Sequence, residues 1–586
     1  MKLLKIFVCM AISWLTATNV QAAPPVAVSN DSVFLTGQLA PAEKIMGQVK
    51  TLAKNLLDEK TLEMVMGELG QFDLKDQLPG FDPTKPIGVY AVVDAKIQQQ
   101  DFSGSYVVFL LPVTDGKKVI EFLTQLGVEF KKAGDGWQLE TEEEDFPPVM
   151  VKEANKHLYV SVGDKAALDE KKLLDPSKVF YPKETGLAYF RMNNAKLPKE
   201  LMTGVKEQFQ QIEEAFDAIG FPEELRKATV KLIEYLDAEN VKQYTQSDFS
   251  ALRLDLNEKN GELVIETVVQ PKSGTQLASD YKERKTSTHE FAELGGKDAV
   301  ARAYGKMPYF APELRAFFKD LYNFAGPAIS KTLSEEGAPE TALKAVEEFF
   351  KNMSATAEMG NMDFAFALQG PNASKHYNIV GALRLANTDA LVKALRAAAK
   401  EVPQEMLVLD AEKVGKYPVH HFIIPEEIPL EAQAIFGKEP KVAIMFTENG
   451  LYVSFGVDNK SVLEAASKLK AKPAPIFAME MNTKAAVEFA KTAGAPPEMF
   501  KALEKVINNP DMQKITLFAV EIAGGEALTI RYRTNAAAFA VAGLGTYMAV
   551  ERDVAPPPNL LPAQPVPVAP PPPPAKAVAP IKAPGF

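Results

Sequence analysis

The sequence predicts an α+β fold built twice: two similar domains, each a mostly antiparallel sheet of about eight or nine strands covered by helices. Three observations predict it. His157-Leu158-Tyr159-Val160-Ser161-Val162 returns as Gly450-Leu451-Tyr452-Val453-Ser454-Phe455, and Met192-Asn193 after one apolar strand returns as Met481-Asn482 after another, so the chain carries an internal repeat. Short apolar runs alternate with longer stretches whose apolar residues are spaced by three and four. Several of the short runs are apolar on alternate positions, as when one face of a sheet is packed and the other wet, and helices are expected over the packed face.

The first copy runs from about Ser32 to about Glu290. It opens with a strand near Val33-Leu35, then helices from Pro41 to about Gly70. Strands follow at Ile87–Val93 and Tyr106–Val113. Thr114-Asp115 then caps a helix carrying Val119, Phe122, Leu123 and Leu126 on one face. Three short strands come around Trp137–Glu140, Val149–Lys152 and Leu158–Val162, and Asp164 starts another helix. A strand at Leu187–Met192 leads into a long helix with Leu201, Val205, Phe209, Ile212, Phe216 and Ile219 at helical spacing, stopped by Gly220. A hairpin, Ala251–Leu256 and Leu263–Val269, closes the copy.

The second copy repeats this order from about Asp298 to about Val550. Ala299–Tyr304 opens it, helices run from Pro312 to Met353, and strands Asp363–Leu368 and Tyr377–Leu385 match the first pair. Thr388-Asp389 matches Thr114-Asp115. Val442–Phe446 and Leu451–Phe455 match the later pair, Asp458 matches Asp164, and Ile476–Met481 precedes a helix. The closing hairpin is Leu517–Ile522 and Ala527–Tyr532, turned at Gly524-Gly525, where glycine supplies positive φ. The offset between copies drifts over roughly 265 to 295 residues, with the differences in connections, where insertions cost little.

Flanking material differs in kind. Lys2 and Lys5, the apolar stretch Ile6–Leu15 and the small-residue site Val20-Gln21-Ala22 read as a secretory signal peptide over residues 1–22. The only cysteine, Cys9, lies inside it. The mature chain is therefore expected to hold no disulfide, thiolate metal site or cysteine nucleophile, and to stand by packing alone across domains at 23–290 and 296–550. Losing Lys2 and Lys5 takes the net charge from −11 to −13, a balance that disfavours nucleic acid and anionic membrane surfaces. Asn535–Val550 is almost uncharged but shorter than a membrane span, and reads as a buried helix, so no transmembrane helix is expected in the mature chain. From Pro556 to Phe586 there are 13 prolines in 31 residues, with two lysines and no acids. Such a tail (555–586) is expected to be disordered and extended in polyproline II, and could serve as a spacer or docking strand.

The residues that carry chemistry do not cluster. The mature chain has five histidines, His157, His289, His376, His420 and His421. His289-Glu290 begins like a zincin helix, but Glu293 stands where the second histidine is needed. His420 and His421 are neighbours on a strand, so they point to opposite faces and cannot share an ion. Ser279-Asp280-Tyr281-Lys282 and Ser467-Lys468-Leu469-Lys470 fit S-x-x-K without its partner motifs. Gly-Lys pairs at Gly116, Gly296, Gly305, Gly415 and Gly437 lack the following Ser or Thr of a phosphate loop. The acidic run Glu142–Asp145 and its counterpart Glu426-Glu427 lack the glycine-punctuated pattern of a calcium loop and read as solvated connections. Trp137, after Gly134-Asp135-Gly136, reads as a packed strand residue. No catalytic, cofactor-binding or metal site is assigned, and no cofactor is expected.

The paired Leu-Tyr-Val-Ser strands, the Thr-Asp helix starts and the strand-to-Met-Asn steps resemble those of exported bacterial tandem-repeat α+β proteins of unknown function, which share a signal peptide and a cysteine-free mature part. The resemblance covers most of the mature chain and implies no reaction. The reading that follows is an exported, non-catalytic binding or structural protein of the periplasm or cell surface. Its partner is an unknown envelope protein, or an apolar ligand such as lipid held in a groove between sheet and helices. A hydrolase with a scattered site is the remaining expectation.

Overall fold

Alternating apolar residues place the strands, and three-four spacing the helices. The structure is a computed structural model that describes residues 33–57, 59–70, 78–96, 104–140, 147–198, 222–284, 287–296, 299–307, 311–401, 403, 406–424, 428–497, 500 and 504–538. The leader, the helix expected over Leu201–Ile219, the two acidic runs, the apolar segment beyond Ala538 and the Pro-rich tail lie outside these residues.

In chain order, the first part contains β1 (Val33–Leu39), α1 (Ala42–Leu56), α2 (Glu59–Gly70), β2 (Ile87–Val92), β3 (Tyr106–Pro112) and α3 (Gly116–Gln125). It continues with β4 (Phe130–Ala133), β5 (Gly136–Leu139), β6 (Val149–Ala154), β7 (His157–Gly163), β8 (Ala188–Met192), α4 (Glu223–Gln246), β9 (Ser247–Asn257), β10 (Glu262–Pro271) and α5 (Gln276–Glu283). The second part has β11 (Thr288–His289), β12 (Ala299–Met307), α6 (Pro312–Glu335), α7 (Glu340–Glu358), β13 (Met362–Gln369), β14 (Asn378–Arg384), α8 (Thr388–Ala398), β15 (Leu407–Val414) and β16 (Tyr417–Ile423). Then come α9 (Leu430–Phe436), β17 (Lys441–Thr447), β18 (Gly450–Gly456), α10 (Asn459–Ser467), β19 (Lys472–Pro473), β20 (Phe477–Asn482), α11 (Thr483–Thr492), α12 (Glu504–Asn508), β21 (Lys514–Ala523) and β22 (Leu528–Asn535).

Among the described residues, 20 strands form one antiparallel sheet. Followed pair by pair, the order is β4-β5-β6-β7-β3-β2-β1-β8-β9-β10 and then β22-β21-β20-β12-β13-β14-β18-β17-β16-β15. The second run is the first read outward from the junction. Local detail repeats as well. Leu158–Ser161 and Leu451–Ser454 occupy the same strand position, Gly163 and Gly456 end it with φ of 117° and 148°, and a register shift interrupts β1 at Val33/Leu35 and β12 at Ala299/Ala301.

Each run has ten strands rather than eight or nine. β4, with Lys131 and Lys132, and β15, with Asp410, Glu412 and Lys413, are edge strands whose charges hide the strand period. The helix α4 was not expected from sequence, where Gly220 read as the stop of the preceding helix; its N-cap is Pro222.

The runs meet through β10 and β22, paired antiparallel with Ile265 opposite Tyr532 and Glu266 opposite Arg531. Equivalent strands thus meet about a local two-fold axis. Helices obey the same symmetry: α4 packs on α6, and α12 packs on α1. The largest core clusters stay within one run. Tyr90, Val108, Leu110 and Tyr159 pack with Leu168, Leu174 and Val179 in the first, and Val380, Ala443, Met445 and Tyr452 pack with Val462 and Leu463 of α10 in the second. Two smaller clusters draw on both runs: Leu56 with Val506, Met512, Ile515 and Ala537, and Val269, Leu277 and Tyr281 with Leu528. The described residues fall in one compact unit.

Candidate functional site

Side chains alternate between the two faces of a strand, and residues directly paired across strands share a face. At the junction the two faces differ completely. One carries a ladder of ion pairs. Arg253 binds Glu184 and, at 3.5 Å, Glu266. Glu266 binds Arg531 at 2.5 Å, Glu521 binds Arg533 at 2.6 Å, and Arg533 binds Glu262 at 3.2 Å. Arg302–Glu480–Lys514 continues it at 2.6 and 3.1 Å. Every cation in this ladder faces an acid, so the face is closed chemically.

The other face is apolar and open. Ile265 and Tyr532 are direct cross-strand partners, as are Phe518 and Met479. Met479 and Phe366 both pair with Ala303 between them. Leu252 and Ile379 extend the series diagonally onto β9 and β14. Leu252, Ile265, Tyr532, Phe518, Met479, Phe366 and Ile379 are exposed. Across β9, β10, β22, β21, β20, β12, β13 and β14 the residues of this face carry no charge in the neighbourhood of the strip: Leu254, Thr267, Ile530, Val520, Phe477, Gly305, Phe364 and Gly381 flank it. Two glycines keep the floor low. A Cβ on Gly305 would sit 2.6 Å from Phe364 Cζ, and one on Gly381 3.1 Å from Phe366 Cδ1, so the rings lie over the neighbouring backbone. The helix pairs reach opposite ends of β9: Asn55 of α1 donates to the Glu258 carbonyl beyond its last residue, whereas α4 runs directly into its first, Ser247.

The histidines named from sequence stay apart. His157 Nδ1 lies 2.7 Å from the Asn155 carbonyl, at a mainly apolar cleft of about 470 Å³ lined by Pro41, Pro112, Phe180 and Pro182, with Lys44, Lys85 and Lys156 around it. His376 sits in the turn before β14. His420 and His421 do point to opposite faces: His420 Nδ1 accepts from the Asp410 amide at 3.1 Å, and His421 Nε2 lies 3.1 Å from Glu412. Burial pushes both imidazoles below the usual histidine value, against the pull of Asp410 and Glu412. Ser279 is an exposed residue of α5, Ser467 donates to the Glu464 carbonyl, and Lys132 lies over the Trp137 ring at 4.4 Å. Among the described residues no group of three His, Cys, Asp or Glu is placed to hold a metal ion, and no helix is long and apolar enough to cross a membrane.

The fold creates one constellation that spacing did not reveal. Ser287 Oγ lies 3.4 Å from His289 Nε2, and His289 Nδ1 lies 3.6 Å from Asp363 Oδ1. His289 and Asp363 are fully buried, and Asp363 Oδ2 accepts from the Glu290 amide at 2.7 Å. The order of groups is that of an acid–base relay, but 3.6 Å is beyond hydrogen-bond length, and Ser287 does not line the 470 Å³ cleft. Asp363 lies 74 residues beyond His289 in sequence, and no local motif links them. The apolar strip was likewise illegible, since it is assembled from one residue on each of many strands.

No family model matches the chain, and neither a curated protein nor a solved structure is found to be similar to it.

Proposed function

We propose that this is an exported, non-catalytic binding protein of the periplasm or cell surface, and that its ligand is apolar and lipid-like. The reading rests on one observation: an uncharged strip of large apolar side chains stands open on seven of eight adjacent strands, bridged on the eighth, β12, by Ala303. A contiguous apolar surface of this kind marks a place where something else is bound. Its position between helix pairs suits the sheet-and-helix groove expected from sequence. In this reading the two runs descend from one duplicated unit, with copies at 23–290 and 296–550, and the identical strand orders support it. The leader at 1–22 supports export. The Pro-rich tail supports a second role, as a spacer toward an envelope partner.

The test is native mass spectrometry of the full chain purified without detergent. A co-purifying mass that organic extraction removes and added lipid restores is the expected result. A bare mass that takes up no lipid and no apolar dye overturns the proposal.

A further inference from the structure

Away from the strip, and independently of what it binds, we infer that the cleft beside His157 is a site for a small apolar carboxylate. The anionic head lies among Lys44, Lys85 and Lys156, and the hydrocarbon body lies between Phe180 and the proline rings. Three features carry this: walls fixed in advance, cations left without acids, and the absence of both from the second run.

The walls are built. Pro41, Pro112, Pro176, Pro182 and Phe180 line the cleft, and proline rings lose no rotamer freedom when they are covered. The loop that carries Phe180 and Pro182 is pinned from β1. Gln38, 8% exposed, donates to the Tyr181 and Glu184 carbonyls at 3.1 and 3.2 Å and accepts from the Tyr181 amide at 2.8 Å. Lys44 Nζ donates to the Thr185 carbonyl of the same loop. Gly88 leaves room for Phe180, since a Cβ there would stand 2.9 Å from Phe180 Cζ, and the His157 ring lies 5.7 Å from the Phe180 ring. A mainly apolar pocket of about 470 Å³, formed before any ligand arrives, suits the enclosure of a small molecule.

The rim selects charge. Among the described residues, Lys44, Lys85 and Lys156 form no ion pair. Of the two acids in the lining, Glu184 is bound by Arg253, and Asp82 accepts from the Thr84 amide and hydroxyl. The cleft is therefore positive in a chain whose net charge is −11. No arginine lines it, so the forked donors that favour phosphate are missing. A bare inorganic anion would leave the apolar walls uncovered, and a neutral hydrocarbon would leave the lysines unused. A carboxylate on a small apolar body satisfies both.

The second run lacks the site. Strand register places Tyr304 and Ala365 where the first run has Gln38 and Gly88. Asn449-Gly450 stands where the first run has Lys156-His157, and Glu448 of that turn is bound to Lys416. The shared strand order thus stands without these residues, and the sheet gives no reason for them.

Calorimetric titration of the full chain with octanoate, naphthoate and the corresponding amides tests the site. Both acids are expected to bind, with the amides more than ten-fold weaker. K85Q/K156Q, at two exposed positions, should weaken the acids about ten-fold and leave the amides unchanged. Unchanged circular dichroism confirms folding. Ring-proton NMR gives the place. Of the five histidines only His157 lines the cleft, so its signals, assigned by their loss in H157Q, should move and the others stay. Tighter binding of octanoate assigns the site to acyl chains, and tighter binding of naphthoate to aromatic acids. Equal affinity for acid and amide, binding untouched by K85Q/K156Q, or movement of other histidines in place of His157 overturns the inference. Binding lost in M479E instead seats the acids on the strip, which overturns this site and supports the proposed function. Absence of binding by both acids overturns this site alone.

Discussion

Removing the Glu266 carboxylate should loosen the two runs from each other by a measurable amount. Its side chain is 13% exposed and serves two arginines, Arg531 at 2.5 Å across the junction and Arg253 at 3.5 Å on β9, whose own exposures are 46% and 36%. A fully buried pair broken on one side costs about 3–5 kcal/mol, and a fully exposed pair contributes at most about 1 kcal/mol. Glu266 stands between, because the acid is sheltered and both bases reach water. E266A should therefore cost about 2 kcal/mol and R531Q about 1 kcal/mol. The pair should couple by about 1 kcal/mol, since once Glu266 is gone Arg531 keeps only the 4.0 Å contact with Glu521. Urea unfolding of wild type, both single variants and the double variant gives the coupling directly. Salt should shrink it, as the screening length falls to about 3 Å at 1 M. Strict additivity of the two substitutions, or coupling unmoved by salt, would refute the view that this ladder ties the runs together.

Three further outcomes are expected. The equivalent glycines should differ: G163A places its Cβ against the Ser105 carbonyl, a backbone atom, whereas G456A meets the side-chain amide of Asn378, which can turn aside only by giving up its bond to Asn459. Both suffer from positive φ, and the thermal midpoint should fall further for G163A. Asn459 donates to the Lys441 and Gly456 carbonyls at 3.0 and 2.9 Å and accepts from Asn378 at 3.3 Å. N459A strands these buried groups and should cost about 2–3 kcal/mol in urea unfolding. Finally, His420 and His421 titrate below their ordinary value in the folded state, so below about pH 6.5 the unfolded chain binds more protons. Their contribution is whole above that pH and is lost as pH falls toward their folded values. H420Q should flatten the stability profile as pH falls below about 6.5, and an unchanged profile would show that His420 is charged without penalty.

How much was legible depends on where each signal resides. Leu-Tyr-Val-Ser and Met-Asn were readable because the residues are consecutive, and the structure puts both pairs at equivalent places: Met192 pairs with Leu35, and Met481 with Ala301. The Thr-Asp starts held only partly. Asp115 accepts from the Lys118 amide as an N-cap, but in the second run Asn387 takes that position and Thr388 instead bonds the Thr447 carbonyl. Gly524 and Gly525 do turn the last hairpin, although only Gly525 takes positive φ, and Gly524 is needed for close passage of the Tyr281 and Arg284 carbonyls. The edge strands β4 and β15 were missed because charge erases the apolar alternation there. Joining of both runs in a single sheet was out of reach for another reason. Nothing in the sequence of β10 or β22 distinguishes a strand that ends a sheet from one that finds a twin.

The local two-fold axis between β10 and β22 limits how far the assembly can grow. A contact that reads identically from either side is used up by two participants, whereas a head-to-tail contact would recruit a third and then a fourth. The strands left outermost among the described residues, β4 and β15, present lysines on one side and a bulge at Asp410 on the other, features that discourage another chain from adding itself. A two-run sheet of this design is finite by construction, and a liberated single run that folds should come to rest as a pair instead of a fibre.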